Sequence, residues 1–288
     1  MILEKIRETL PEMTPLNRKI ASYILDHGQS VGLSSIYAMS EKIGVSNASL
    51  IRFARSIGMK GYSDLKHALQ EEIKQRLSPY EKIALSELGT LPGDARLRKM
   101  IQNEENNLRR TLDGLALGTL EGIATAICKA NKVFISGFGV SCHLARVFEY
   151  SLLGTLNAEI AVISGSVSDF TPSLKTFGPK DVMILLTFPP YSDEGLTVAT
   201  FARRREGKLF LFTNSAQCPV YPIADGVVTC ENNSLLLSNS FVGLVAVLQL
   251  LVNMVCLKDK NASMKIRREV AEMERRGYES ARNQEKRK

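Results

Sequence analysis

Residues 36–58 read IYAMSEKIGVSNASLIRFARSIG, a pattern of two short helices joined by a turn. Apolar residues recur every three or four positions on both sides of Gly44, as on the buried faces of two helices. Gly44 can adopt the left-handed conformation that ends a helix, Ser34 or Ser35 can cap the first helix, and Ser46 the second. The stretch therefore predicts a helix-turn-helix, whose second helix enters the major groove of DNA.

The outward side of this second helix carries polar side chains that suit nucleic acid. Such side chains can bond base edges, and a helix N-terminus can hold a phosphate. A three-helix bundle that never touches DNA has the same periodicity, so the spacing alone leaves both interpretations open. The predicted DNA contacts are Ser46, Asn47, Ser49 and Arg52 near the start of the helix, followed by Arg55, Lys60 and Tyr62 as backbone contacts.

The flanking sequence extends this helical region. TPLNRKIASYIL at 14–25 predicts an earlier helix capped by Thr14, with Pro15 in its first turn. From 13 to 69 the chain resembles the N-terminal domain of the RpiR family of bacterial transcription regulators. The resemblance rests on V-S-x-x-S-x-x-R-F at 45–53 and G-x-K-G-Y-x-D-L-K at 58–66, and it implies a DNA-binding head. Asn17 departs from the family's usual acidic residue, with little expected effect at a helix surface.

The later sequence has a different pattern. Five short runs rich in Val, Ile, Leu and Phe are each separated by a segment of helical length, which predicts an α/β domain with a mainly parallel five-stranded sheet covered on both faces. Ligands of such sheets bind beyond the carboxyl ends of the strands, where the strand order switches. The runs are KVFISGFG at 132–139, AEIAVIS at 158–164, DVMILLTF at 181–188, GKLFLFT at 207–213 and GVVTCE at 226–231.

The first run ends in the loop SGFGVS at 136–141. Gly137 and Gly139 permit a tight turn, and Ser141 with the following helix N-terminus can hold an anion. A glycine turn needed only for packing remains an alternative. A dinucleotide fingerprint is disfavoured, because Cys142 stands where the third glycine is required.

The third run ends in TFPPYSDE at 187–194. From about 119 to 257 the chain resembles a sugar isomerase (SIS) domain, the phosphosugar-binding module that follows the head in this same family. The resemblance places Gly137, Gly139 and Ser141 in its first ligand loop. It places Thr187, Ser192 and Glu194 in its second ligand loop.

Pro189 and Pro190 depart from the usual second loop. They replace a serine and a glycine, which removes one hydroxyl and two backbone N–H donors. Phosphate binding of the usual kind is therefore in question, and a sugar acid or another polar ligand is the alternative. Tyr191 can stack on a ligand or pack locally. The resemblance places Asn214 and Ser215 near the ligand, although ordinary turn chemistry explains them equally.

The charge is concentrated at the ends of the chain. Of the formal net charge of +7, residues 1–77 contribute +3 and residues 258–288 contribute +5, leaving −1 between them. We predict a helix-turn-helix domain at 1–77, a helical linker at 78–118, a SIS-like domain at 119–257 and a basic helical tail at 258–288. We expect the tail to pack on a partner subunit or near DNA, or to remain a solvated helix that frays after Gly277. In the linker, apolar residues are expected to pack on a neighbouring domain or form a dimer seam: Met100, Ile101, Leu108 and Leu112.

Several classes of protein are disfavoured. Five widely spaced cysteines, with no Cys-x-x-Cys pair and no nearby histidine cluster, give no zinc-finger or disulfide pattern, and we expect neither a metal nor a cofactor. Residues 235–257 are long enough to cross a membrane, but their polar residues favour a buried core helix. The charged N-terminus lacks the apolar region of a secretory signal, so we expect a cytoplasmic protein. His143 is the only histidine after the head, which disfavours catalysis.

The sequence thus predicts a transcription regulator that binds double-stranded operator DNA as a homodimer or higher homo-oligomer. A small metabolite, a phosphosugar or sugar acid, is expected to modulate it. One alternative is a constitutive DNA-binding dimer whose SIS-like domain serves as a scaffold. A phosphosugar isomerase is the weaker alternative.

Overall fold

The computed structural model describes residues 2–76 and 79–285. The chain folds as two compact units: the first comprises Met1–Thr90 with Leu235–Ser238, and the second comprises Leu91–Ser234 with Asn239–Lys288. The predicted boundary between residues 77 and 78 lies outside the described residues, as do the last three residues of the tail.

The first unit is entirely helical where it is described. Its α-helices are α1 (Ile2–Thr9), α2 (Pro15–Leu33), α3 (Ile36–Ile43), α4 (Asn47–Ser56), α5 (Tyr62–Arg76) and α6 (Pro79–Ala84), with short 3₁₀ helices at Leu10–Glu12 and Glu87–Thr90. Its core is built from residues of α1 to α5, all between 2 and 69. Helix α1 was not predicted from the sequence; its Leu3 N–H donates to the buried Glu72 carboxylate at 3.0 Å.

Local capping explains where these helices begin and end. Thr14, Ser35 and Ser46 each accept a hydrogen bond from the backbone N–H three residues later. Gly44 ends α3 with φ +68°, a left-handed conformation that favours glycine. The helix-turn-helix formed by α3 and α4 therefore follows from the residues at its ends.

The second unit is a three-layer α/β fold. Its strands are β1 (Lys132–Gly137), β2 (Glu159–Ile163), β3 (Val182–Leu186), β4 (Lys208–Thr213) and β5 (Gly226–Thr229), all parallel and ordered β2-β1-β3-β4-β5. The predicted five-stranded sheet is confirmed. Its helices are α7 (Gly93–Asp113), α8 (Leu117–Lys129), α9 (Val140–Leu153), α10 (Val167–Leu174), α11 (Asp193–Arg204), α12 (Val242–Lys258) and α13 (Lys260–Glu285).

The two faces of the sheet bury separate cores. Side chains of α8, α9 and α12 pack on one face, and those of α10 and α11 pack on the other. The prediction of a helix between every pair of strands was wrong between β4 and β5. That connection contains one 3₁₀ turn at Tyr221–Ile223, in a stretch that Pro219 and Pro222 keep from forming an α-helix.

Helix α7 half-buries Met100 and Leu108 of the predicted linker, and a dimer seam formed by its apolar residues stays a prediction. Its buried face is polar, with Asn103, Asn107 and Thr111 inside, whereas Ile101 and Leu112 are exposed. The reason is hydrogen bonding: these polar side chains pair with backbone groups of residues 231–233.

Two further helices bear on the sequence predictions. Helix α12 begins at Val242 and buries most of one side in the core. Helix α13 continues beyond Gly277 to Glu285, so the prediction of fraying at Gly277 was wrong. Within residues 2–76 and 79–285, no single helix is long and apolar enough to cross a membrane.

Candidate functional site

The strand order creates a crevice at the carboxyl ends of β1 and β3. From β1 the chain enters α9 on one face of the sheet, and from β3 it enters α11 on the opposite face. Because adjacent strands lead to opposite faces, the two loops separate and leave a space between them. The predicted ligand loops at 136–141 and 187–194 lie at this point.

The first loop requires both of its glycines. A β-carbon at Gly137 would lie 2.5 Å from the Ser141 carbonyl oxygen, closer than any real contact. Gly139 has φ +56° and ψ −131°, a conformation that other residues rarely adopt. The backbone therefore turns sharply enough to place Ser141 in the first turn of α9, where only 6% of the residue is exposed.

The second loop brings further hydroxyl groups to the start of α11. Ser192 caps this helix by accepting the Gly195 N–H at 3.2 Å. A β-carbon at Gly195 would lie 3.4 Å from Ser192 Oγ and 3.7 Å from Thr187 Oγ1. The hydroxyls of Thr187 and Ser192 thus converge beside Gly195, and Thr187 is itself 7% exposed.

The two prolines give this loop an unusual backbone. The Pro189–Pro190 peptide bond is cis, and neither residue has an N–H to donate. The carbonyl of Pro189 accepts a hydrogen bond from Asn239 Nδ2 at 2.7 Å. The loop is therefore held through the Pro189 carbonyl, which is a hydrogen-bond acceptor. An anion-binding loop would instead present backbone N–H donors at these positions.

Tyr191 joins the second loop to the end of β4. Its hydroxyl donates to Asn214 Oδ1 at 2.7 Å. Burial raises the pKa of the Tyr191 phenol, against a smaller opposing effect of the nearby Ser215 and Thr213 hydroxyls, so the group stays a neutral donor at ordinary pH. Among the atoms that the structure describes, Thr213 Oγ1 is buried without a hydrogen bond of normal geometry. Sequence analysis did not single out Thr213.

Glu194 and Ser215 complete the predicted ligand set. Glu194 is half-buried in the first turn of α11 and stands next to the exposed Asp193. These two carboxylates interact favourably with the positive end of the α11 dipole. Because they also repel other negative groups, the start of α11 is less suitable for binding an anion than the start of α9. Ser215 accepts the Gln217 N–H at 3.3 Å, which is the turn chemistry considered as its alternative role.

The structure divides the predicted DNA contacts into two groups. Ser46, Arg52, Arg55 and Lys60 are exposed. Asn47 is partly exposed, and its buried Oδ1 has no hydrogen bond among the described atoms. Ser49 and Tyr62 are the exceptions, with 6% and 7% of each residue exposed.

Those two residues make internal contacts. Ser49 Oγ lies 2.9 Å from Ser46 Oγ and accepts from Arg52 Nη2 at 3.2 Å. Tyr62 donates to the Ser34 carbonyl at 3.4 Å. Direct DNA contact from Ser49 and Tyr62 is therefore disfavoured, because both side chains are buried and bonded within the head.

No candidate metal centre competes with this site. Across the described part of the chain, no group of three or more His, Cys, Asp or Glu side chains is arranged to hold a metal ion. His143, the only histidine of the second unit, is exposed on α9.

The two units correspond to two known families. Residues 1–76 match the helix-turn-helix domain of the rpiR family, and residues 126–253 match the SIS domain. A helix-turn-helix head joined to a SIS domain defines the class of transcription regulators. More particularly, the chain belongs to the RpiR family, in which the rpiR-type head precedes a SIS domain.

Individual proteins are similar to all or part of this chain. An uncharacterized HTH-type transcriptional regulator of Haemophilus influenzae is 27% identical over 245 residues, covering 84% of each chain. The sugar isomerase domain of an RpiR transcription factor from Sphaerobacter thermophilus has a TM-score of 0.58 at 27% identity, covering 60% of this chain and 97% of that one. The Vibrio vulnificus NanR protein, solved in complex with ManNAc-6P, has a TM-score of 0.58 at 20% identity, covering 95% and 97%. At that identity the NanR likeness concerns the fold.

Proposed function

We propose that this regulator binds operator DNA through α4 as a homodimer and that a sugar phosphate, or a related anion, bound between the β1 and β3 loops modulates its binding. The observation that carries the proposal is the position of three hydroxyls at the switch point of the sheet: Ser141 follows β1, while Thr187 and Ser192 follow the adjacent β3 and converge beside Gly195. These hydroxyls can donate to phosphate or carboxylate oxygens. The complex of the NanR relative with ManNAc-6P supports the same class of ligand.

The geometry favours the α9 side of the crevice for the anionic group. The loop through Gly137 and Gly139 leads directly into a 14-residue helix whose N-terminus favours negative charge. On the other side, Pro189 and Pro190 offer no N–H, and Glu194 adds negative charge. We therefore place the phosphate or carboxylate near Ser141 and the sugar hydroxyls towards Thr187 and Ser192.

Exposed apolar side chains support a homodimer. Val140, Val147, Tyr150 and Leu153 on α9 are each at least 51% exposed. On the neighbouring α12, Val245, Leu250 and Leu257 are also exposed. Adjacent apolar side chains of this kind mark association surfaces, and a two-fold dimer matches the symmetry of a near-palindromic operator.

We assign no catalytic role and no cofactor to the site. Moving a proton between adjacent carbons of a sugar requires a positioned base, and His143 is an exposed residue of α9. Operator DNA as the partner supports a cytoplasmic location for the protein.

Thermal-shift measurements on the full chain test the proposal. The panel contains ManNAc-6P, other hexose and amino-sugar 6-phosphates, the unphosphorylated sugars and sugar acids. A phosphosugar at about 100 times its Kd should stabilise the protein by about 2.7 kcal/mol. Ser141→Ala should abolish the shift, whereas Ser173→Ala, on the exposed side of α10, should retain it. Equal shifts in both variants would rule out the assigned site.

The two prolines favour a second candidate. A loop that has lost two donors suits a SIS domain that serves only as a dimer scaffold, with DNA binding independent of any metabolite. In that case no member of the panel would shift the melting temperature. A shift with neutral sugars or sugar acids alone would instead identify a loop adapted to a ligand without phosphate.

A further inference from the structure

Buried amide side chains hold the segment between β5 and α12. Asn103 and Asn107 on α7 are 8% and 3% exposed, and both donate to the Asn233 carbonyl, at 3.0 and 2.7 Å. One turn further along, Thr111 Oγ1 accepts the Glu231 N–H at 2.9 Å. The start of the segment is therefore fixed by a helix that is distant in sequence.

The end of the segment reaches the ligand loop. Asn232, which is 8% exposed, donates through Nδ2 to Asn239 Oδ1. Asn239 Nδ2 in turn donates to the Pro189 carbonyl at 2.7 Å. Since Pro189 and Pro190 have no N–H, the backbone at these two residues can be held only through its carbonyl oxygens, and Asn239 binds one of them.

The middle of the segment belongs to the first unit. Residues Leu235–Ser238 are part of that unit, and Lys82 Nζ donates to the Leu237 carbonyl at 2.8 Å and to the Ser238 carbonyl at 3.4 Å. Lys82, on α6, is 6% exposed, and burial lowers the pKa of its ammonium group. A buried ammonium requires such acceptors, so its position depends on that of the segment.

Core packing alone does not account for these residues. Buried apolar side chains stabilise a fold and have no hydrogen-bonding groups to satisfy. In a buried network of amide side chains, by contrast, every donor and acceptor needs a partner. Here the network connects three defined points: the ligand loop at Pro189, the segment at 231–240 and α6 at Lys82.

We propose that Asn239 is a positioning residue that couples the ligand loop to α6 through the covalent segment Leu235–Ser238. A ligand that displaces the Pro189 carbonyl loosens Asn239, shifts the segment and weakens its hold on Lys82. Because α6 precedes the second unit and follows the head in sequence, the change reaches the part of the chain that connects the head to the sheet. The role of this coupling in the response to a ligand rests on the proposed function, whereas the coupling between the loop and α6 itself needs no ligand.

Hydrogen–deuterium exchange on the ligand-free full chain tests the coupling. Asn239→Ala should make exchange several-fold faster at 191–196 and also at 79–90, with β1 unchanged. Asn253→Ala is the matched control: it removes an amide from the exposed side of α12, where Asn253 accepts from Gln249, and should change neither region. A merely local role for Asn239 would accelerate 191–196 and 230–240 while leaving 79–90 unchanged, and would overturn the proposal.

Coupling must also act in the reverse direction. Lys82→Met should accelerate exchange at 235–240 and at 191–196, which keeps the proposal testable if Asn239→Ala fails to fold. No change at 191–196 in Lys82→Met would contradict it. These outcomes are independent of the thermal-shift panel. A panel in which no compound shifts the melting temperature would refute metabolite sensing, whereas unchanged exchange at 79–90 would refute the coupling only.

Discussion

At the scale of single residues, the DNA-binding head separates side chains that can touch DNA from those that place them. Arg52 is exposed, but its guanidinium is held by the buried Ser49 hydroxyl at 3.2 Å. Lys60 is exposed, and its backbone N–H is fixed by the Asp64 carboxylate at 2.9 Å. The two cations are therefore suited to different contacts. The oriented guanidinium of Arg52 can bond a base edge, and the ammonium of Lys60 can bind a phosphate.

This difference predicts distinct effects on DNA binding. Arg52→Ala should weaken binding to the cognate site by about 1–3 kcal/mol and relax its sequence preference. Lys60→Ala should weaken binding to cognate and scrambled duplexes alike and reduce the salt dependence. Fluorescence anisotropy with both duplexes at two salt concentrations measures this. Identical behaviour of the two variants would show that the roles are misassigned.

Gly137 illustrates a residue fixed by close approach of the backbone. A methyl group there would meet the Ser141 carbonyl and the next peptide group, which are backbone atoms that cannot rotate away. Gly137→Ala should therefore destabilise the protein by roughly 1–3 kcal/mol, measured by urea denaturation.

A second glycine supplies the control for that measurement. Gly122 lies within α8, where a β-carbon would meet nothing within 4 Å. Gly122→Ala should leave stability unchanged or raise it by about 0.5–1 kcal/mol, because alanine is the better helix former. Destabilisation of the same size in both variants would contradict the crowding argued for Gly137.

At the scale of secondary-structure elements, Tyr62 ties the start of α5 to the turn before α3. Its hydroxyl donates to the Ser34 carbonyl at 3.4 Å, and burial raises the pKa of the phenol to about 12 from an ordinary 10.0. A raised pKa in the folded state means that the protein favours the neutral phenol. This stabilisation is fully present below pH 10 and is lost as the pH rises from 10 towards 12.

We expect the stability of the head to fall over that alkaline range. Tyr62→Phe should reduce the pH dependence of unfolding between pH 10 and 12, whereas Tyr37→Phe, at a residue 71% exposed on α3, should leave it as in the wild type. Urea denaturation at several pH values measures both. Burial also raises the pKa of Cys230 to about 12, so the second unit contributes a loss of the same sign in all three proteins. Equal slopes in the wild type and Tyr62→Phe would refute the role of Tyr62.

Features set by neighbouring residues could be predicted from the sequence. Caps such as Thr14 and Ser46, the turn at Gly44 and the five strands depend on local chemistry or on runs of apolar residues. The inward rotation of Ser49 could not be predicted, because it depends on how α4 packs on other helices.

The polar buried face of α7 could not be predicted from the sequence for a related reason. Asn103 and Asn107 find their partner at Asn233, more than 100 residues later. Their spacing of four residues, with Thr111 four further on, was a signal in the sequence, but only knowledge of the partner gives that spacing a meaning. The ligand site falls between these cases: the glycines of its loops could be predicted from the sequence, whereas the buried Thr213 beside Tyr191 could not.

At the scale of the whole molecule, the apolar side chains on α9 and α12 set the expected assembly. Val147→Asp combined with Leu250→Asp should convert the proposed dimer to a monomer, because burial of two carboxylates at an apolar interface is unfavourable. Sedimentation velocity measures the change. The matched control is Thr197→Asp, on the exposed side of α11. A dimer that survives the double substitution would place the interface elsewhere.

The distribution of the two cores along the chain has a consequence for synthesis. The head builds its core from residues 2–69, whereas the sheet is incomplete until β5 ends at Thr229 and α12 has followed it. Because domains fold as they leave the ribosome, N-terminal part first, the head can fold while most of the second unit has yet to be made. A polypeptide whose translation stops early would then keep the surface that binds the operator while lacking the part that responds to the effector. Such fragments would compete with intact regulators for the same promoter.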